Sequence, residues 1–204
     1  VSWGELGLEV YSPSGAKLGF WEDLEFPIRE IIEYDGLVLF ATEDGVERFN
    51  ETTFSWESTW TPGNGLPNNA GDWVGELWTD GQHLLVGTAT FAWWGGFQRG
   101  VIGHLDGSTG AWSTVETGQN GIPNGYPLSM SQCGSYVYIG LLNNNGGIVS
   151  MDLNSSSVVG SFTTSVLSNG RVAAVACDSV ATLYVGYDED DQGISKYDTV
   201  AGLW

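Results

Sequence analysis

Two short stretches concentrate the side chains that could do chemistry. One is Asp188-Glu-Asp-Asp-Gln-Gly193, with carboxylates at alternate positions ahead of a glycine. Hard-cation loops use that pattern to collect the roughly six to eight oxygens that calcium requires. Gln192 stands where a further Asp would be expected, and no Glu follows at the distance of a bidentate ligand. The stretch therefore reads in two ways, as a calcium site built on Asp188, Asp190 and Asp191 or as a solvated acidic loop. The other stretch, Ala89-Thr-Phe-Ala-Trp-Trp-Gly-Gly-Phe-Gln-Arg99, gathers Phe91, Trp93, Trp94 and Phe97 in one Gly-containing segment. Such rings stack on sugars or cover a partner's apolar patch, or else fold back to plug their own part of the core.

Catalysis is poorly provided for. His83 falls between a turn and a strand and His104 within a strand, places where surface or hydrogen-bonded histidines are commoner than catalytic ones. The chain has no Gly-x-Ser-x-Gly elbow, no metal-binding His pair and no phosphate-cradling loop. Adjacent carboxylates such as Glu22 and Asp23 acquire acid and base roles only through geometry.

The elements that must position these residues are repeated. A Gly opens a strand at Gly7, Gly45, Gly100, Gly147 and Gly193, at intervals of 38, 55, 47 and 46 residues. Periods of about 40 to 50 residues belong to propeller blades of four antiparallel strands, here called a to d. The aromatic stretch is the insertion that lengthens the 55-residue interval. In the second copy, strand a is expected near Ile28 to Tyr34, b near Leu37 to Thr42, c near Val46 to Phe49 and d near Phe54 to Trp60. Asp35-Gly36 and Asp80-Gly81 make the a–b turns, because Gly tolerates the positive φ of a tight hairpin. Strand b is apolar throughout in Leu84-Leu-Val-Gly87 and Tyr136-Val-Tyr-Ile-Gly140, which suits a strand covered on both faces. Strand c alternates, with Val101, Gly103 and Leu105 on one face and Ile102 and His104 on the other.

The connector repeats as well: Thr61-Pro-Gly-Asn-Gly-Leu-Pro-Asn68 matches Glu116-Thr-Gly-Gln-Asn-Gly-Ile-Pro-Asn124. With the Asp-Gly turns, the b strands ending in Gly-Thr and the Tyr-Asp and Gly-Leu-Trp near the end, this cadence resembles the two-component regulator propeller repeat. The resemblance covers almost the whole chain and is strongest over residues 60–115 and 170–204. It implies a large propeller in an extracellular or periplasmic sensor region.

The fold expected is an all-β propeller of four-stranded antiparallel blades, about four to five of them, as one unit over residues 1–204. The blade parts fall at 1–24 (partial), 25–60, 69–115, 125–165 and 170–204. Uncovered sheet faces at the ragged ends call for the remainder of a longer chain or a homo-oligomer to complete a ring. Thirty Gly and ten Trp in 204 residues fit a turn-rich β chain.

Six Lys and Arg against 25 acids leave a net charge of −19. Such a surface repels phosphate backbones, which argues against nucleic acid as a partner. It suits solubility in a salty or calcium-rich medium, or recruitment of cations and cationic partners. No apolar run is long enough to span a membrane. The acceptor triplets Asn50-Glu-Thr52 and Asn154-Ser-Ser156 are compatible with secretion. Cys133 and Cys177 occupy nearly equivalent places in successive repeats, where the expected separation exceeds disulfide reach, so they read first as buried thiols filling core, with the one possible disulfide as the alternative.

These observations point to a non-catalytic binding or scaffold module of an extracellular or periplasmic protein, with no intrinsic cofactor beyond calcium. Its ligand or partner, protein or glycan, would meet the b–c loop face, with Trp93 and Trp94 as anchors. The alternatives are a glycan hydrolase or lyase at the channel mouth, using acids such as Glu43, Asp44, Asp188 and Asp190, and a purely structural part of a large surface protein.

Overall fold

Gly-led turns and short apolar runs leave this chain little choice but strands. The computed structural model describes residues 8–11, 14–21, 27–91, 96–167, 170–188 and 193–204, and among them every regular element is a β-strand. The first sheet pairs β1 (Leu8–Tyr11) with β2 (Lys17–Trp21). The second runs β3 (Glu30–Tyr34), β4 (Leu37–Thr42), β5 (Gly45–Asn50), β6 (Ser55–Trp56). A connector holding the two-residue parallel pair β7 (Thr61–Pro62) and β8 (Gly65–Leu66) follows. The third sheet is β9 (Trp73–Thr79), β10 (His83–Phe91), β11 (Phe97–Asp106), β12 (Ala111–Glu116). The fourth is β13 (Tyr126–Cys133), β14 (Tyr136–Leu142), β15 (Gly147–Asp152), β16 (Ser157–Phe162), and the fifth is β17 (Val172–Cys177), β18 (Thr182–Tyr187), β19 (Ile194–Asp198).

In the second, third and fourth sheets, sequence neighbours pair antiparallel in the order a, b, c, d, and the fifth follows the same order from a to c. This is the expected blade. Strand a of one blade packs on strand a of the next, β3 on β9, β9 on β13 and β13 on β17. The blades therefore succeed one another about an inner row of a strands, and the described sheets do not close into a ring.

Alternation along strand b explains how the blades adhere. Leu84 and Val86 join Leu39, Ala41, Val46 and Val74 between the second and third blades. Leu85, one residue out of phase, joins Ile102, Val137, Ile139, Leu141 and Met151 between the third and fourth. Tyr138, again out of phase with its neighbours, packs with Val172, Leu183 and Val185 between the fourth and fifth. Strand c of the third blade, expected to present two distinct faces, is buried on both from Gly100 to His104, because a blade lies against each. A Cβ at Gly87 would come within 2.6 Å of Pro127 and one at Gly140 within 2.8 Å of Val172. In the third and fourth blades this strand b glycine is thus where the next blade comes close.

Two expectations are corrected. Cys133 and Cys177 form a disulfide, with Cα atoms 5.4 Å apart, instead of lying free in the core. Blades splay outward from the inner row, so equivalent residues on adjacent a strands are close even though those on outer strands are not. Side chains stitch the same row: Ser129 Oγ accepts the Val175 amide at 3.0 Å and Ser131 Oγ the Cys177 amide at 3.1 Å. The aromatic insertion also differs from a simple loop. Thr90 pairs with Arg99 and Phe91 with Phe97, so strands b and c of the third blade extend beyond the blade as a hairpin.

The turns follow the sequence reading. Asp35 and Gly36 take φ of 51° and 73°, the left-handed pair that a two-residue hairpin needs. The fifth sheet has no fourth strand among the described residues. After β19, the Asp198 carboxylate accepts the Val200 and Ala201 amides, and Leu203 returns to bridge Asp198.

Candidate functional site

A four-residue phrase lies at the entry to strand a in four blades, and its alignment emerges only from the register: Pro27-Ile-Arg-Glu30, Trp73-Val-Gly-Glu76, Tyr126-Pro-Leu-Ser129 and Arg171-Val-Ala-Ala174. Trp73 lies opposite Ala89, Tyr126 opposite Leu142, and the Arg171 carbonyl accepts the Asp188 amide. A register shift follows at the same step in all three strands, leaving Gly75, Leu128 and Ala173 without a residue opposite. Such bulges bend a strand and re-aim its side chains. Here they set Trp73, Tyr126 and Arg171 in a row at the end of the blades where the b–c connections lie.

Phe91 and Phe97, from the long hairpin, join that row. Trp73 meets Tyr126 edge to face with centroids 5.4 Å apart, and Phe91 lies 5.7 Å from Trp73 and 5.6 Å from Tyr126. Phe97 stands 5.5 Å from Tyr126. These separations are those at which aromatic pairs attract through quadrupoles as well as area. Burial raises the pKa of the Tyr126 hydroxyl against the opposing pull of Arg171.

An arginine closes each side of the cluster. The Arg29 guanidinium lies 4.6 Å over the Trp73 ring and donates from Nη2 to Glu43 Oε1 at 2.8 Å. Arg171 donates from Nη2 to Asp188 Oδ2 at 2.5 Å and from Nη1 to Asn144 Oδ1 at 3.3 Å. Glu43, Asn144 and Asp188 come from the b–c connections of the second, fourth and fifth blades. Chemically this is an apolar aromatic platform flanked by Arg–carboxylate pairs that present donors and acceptors together.

Of the residues singled out from sequence, Phe91 and Phe97 are brought together, whereas Trp93 and Trp94 lie outside the described residues. Asp188 is described and holds Arg171; Asp190 and Asp191 lie outside. Among the described residues no group of three or more His, Cys, Asp or Glu is placed to hold a metal. A cation in this loop would share Asp188 with the Arg171 guanidinium. Sequence reasoning missed Arg29, Trp73, Tyr126 and Arg171. The available signal was the phrase before each b strand, obscured because its four copies share little but an apolar second residue.

Below the cluster, Glu30 and Glu76 hold the same register position on neighbouring a strands, opposite Ala41 and Gly87. Burial, with a smaller push from Glu30, raises Glu76 to about 8, although the Met130 amide donates to its Oε1 at 3.2 Å. At neutral pH this carboxyl is therefore mostly protonated.

No family model matches the chain, and no curated protein matches it. Solved structures do. The extracellular domain of the hybrid two-component system BT4673 from B. thetaiotaomicron aligns over 98% of this chain and 22% of its own, with a TM-score of 0.61 and 16% identity. That of BT3049 from the same organism covers 86% of this chain and 22% of its own, with a TM-score of 0.62 and 19% identity. The WD40 β-propeller domain of Doa1 gives 0.57 at 12% identity, over 83% of this chain and 50% of its own. The chain thus spans about a fifth of the length of the first two. At these identities the likeness is one of fold, and the chain is an all-β array of propeller blades of the kind found in these extracellular domains.

Proposed function

We propose that the chain is a non-catalytic binding module of an extracellular or periplasmic protein, recognising a protein or glycan through the b–c end of its blades. The observation carrying this reading is the cluster of Trp73, Phe91, Phe97 and Tyr126 between the Arg29–Glu43 and Arg171–Asp188 pairs. Aromatic rings ringed by polar pairs are the usual composition of a recognition surface. The disulfide supports an oxidising compartment, and the B. thetaiotaomicron structures similar to this chain are themselves extracellular domains. Trp93 and Trp94 fall between Phe91 and Phe97 in sequence and are the further anchors of this reading. Calcium at Asp188, Asp190 and Asp191 would act as a tuning element that competes with Arg171.

Two acids of the b–c connections, Glu43 and Asp188, favour binding over hydrolysis, since each is committed to an arginine near its own blade. Screening the chain against glycan and secreted-protein panels, followed by tryptophan-fluorescence titration of each binder, tests the proposal. Binding that weakens at least tenfold in Trp73→Ala and Tyr126→Ala supports it. Binding indifferent to both substitutions, or release of new reducing ends or unsaturated products from a glycan, overturns it.

A further inference from the structure

The only two histidines of the chain lie stacked on one another at the opposite end of the third blade, with ring centroids 5.3 Å apart and planes 30° apart. His83 opens β10, and its Nδ1 lies 3.0 Å from Asp80 Oδ2. His104 lies in β11 and is 1% exposed. Its Nδ1 lies 2.7 Å from Ser156 Oγ and 3.3 Å from Ser113 Oγ. Ser113 is on the adjacent strand of the same blade, but Ser156 is in the β15–β16 turn of the fourth. Nε2 of His104 is buried and has no hydrogen-bond partner.

We propose that this pair is an acid-sensitive clasp between the third and fourth blades: neutral His104 holds the β15–β16 turn through Ser156 from a buried site, and protonation, which places an N–H at the partnerless Nε2, drives the ring out of that site and so releases the turn. Neutral imidazole suits the site. With the proton on Nδ1 it donates to Ser156 and leaves only a bare lone pair at Nε2, whereas the other tautomer would bury an N–H at Nε2 with no acceptor. The imidazolium does not suit it, because a second N–H would then point at Nε2 into a buried place with no acceptor. It would also stack a cation on the His83 ring.

The surrounding groups do not supply the missing acceptor. From the β9–β10 turn, Asp80 is taken up by His83 and by the Gln82 and His83 amides. From the end of β11, Asp106 is taken up by Ser108 and Thr109. β12 and the β15–β16 turn present hydroxyls to the ring, Ser113 and Ser156, and in that turn Asp152 accepts the Asn154 and Ser155 amides. Burial, then the neighbouring His83, depresses the His104 pKa, with Asp106 and Asp80 opposing. Ser156 adopts φ of 54°, a left-handed conformation that costs a non-glycine residue and is held by the turn's contacts.

Depression fixes the sign. Above the unfolded pKa the neutral ring is no penalty; as pH falls below it, the unfolded chain binds a proton that the clasped ring refuses, and stability declines until the folded pKa is reached. The test follows the ring and the turn together. In wild type, the His104 ring resonance should titrate below the ordinary histidine range, and amides at Asn154 and Ser155 should lose hydrogen-exchange protection over the same pH interval. Between pH 7 and 5, the folding equilibrium of wild type should fall relative to His104→Gln by up to about tenfold per pH unit. Ser156→Ala should weaken turn protection at all pH values and remove its pH step. An ordinary His104 titration, parallel stability profiles for wild type and His104→Gln, or turn protection that ignores the His104 titration would each overturn the clasp. Should His104→Gln fail to fold, the wild-type titration and exchange data decide.

Discussion

Trp73 and Tyr126 hold the same position in successive blades and meet edge to face, 5.4 Å between ring centres. Neither ring is a neighbour of the other in sequence. Their meeting follows from a repeated bulge at the start of strand a, and it turns two blade entrances into one aromatic surface.

Replacing either ring by Ala should cost about 1–2 kcal/mol of stability, since both are only partly buried. A double-mutant cycle between them should return a coupling of about 0.5–1.5 kcal/mol beyond area loss. Thermal or denaturant unfolding of the four proteins in the cycle measures it. Zero coupling would mean that the rings pack independently.

The Cys133–Cys177 disulfide closes a segment of 44 residues between the inner strands of the fourth and fifth blades. Reduction, or Cys133→Ala with Cys177→Ala, should lower stability by about 2–4 kcal/mol. Denaturant midpoints with and without reductant check it, and the loss should concentrate in hydrogen exchange of β17 and β18.

Glu76→Gln should leave stability unchanged in acid and raise it in alkali. The folded carboxyl titrates at about 8, above its unfolded value, so its stabilising contribution is present at low pH and is lost as pH rises toward and through 8. The gain of the Gln variant over wild type should therefore grow from about pH 5 to 9, reaching on the order of a few kcal/mol. Paired denaturation curves across that range measure it; a gain independent of pH would contradict the assignment.

Gly140→Ala should destabilise by about 1–3 kcal/mol, because the new Cβ meets Val172 at 2.8 Å. The same change at Gly186, the equivalent position in the fifth blade, should be close to neutral, as its nearest contact is Ala174 at 3.6 Å. Comparing the two midpoints tests whether this glycine serves the blade behind it or its own strand.

Much of the local structure was legible in the sequence. Leu37–Thr42 forms strand b as expected, and strand a ends at Tyr34 as expected. Alternation of apolar residues and left-handed turn residues such as Asp35-Gly36 act over a few residues, so the chain states them directly. Two of the four rings in the aromatic cluster, Phe91 and Phe97, stand out in the sequence because they belong to an insertion that breaks the repeat, whereas Trp73 and Tyr126 do not.

What tertiary structure alone decided are relations between distant residues. Cys133 reaches Cys177, Arg29 covers Trp73 and Ser156 meets His104 across blade boundaries. Each depends on blades converging along the inner strands and on bulges that shift register by one residue, and a one-residue shift changes which face a side chain occupies. Periodicity by itself determines that there are blades, and where their strands lie. Which residues of neighbouring blades touch is set by the angle at which the sheets pack, a property of the assembled array and of no single repeat.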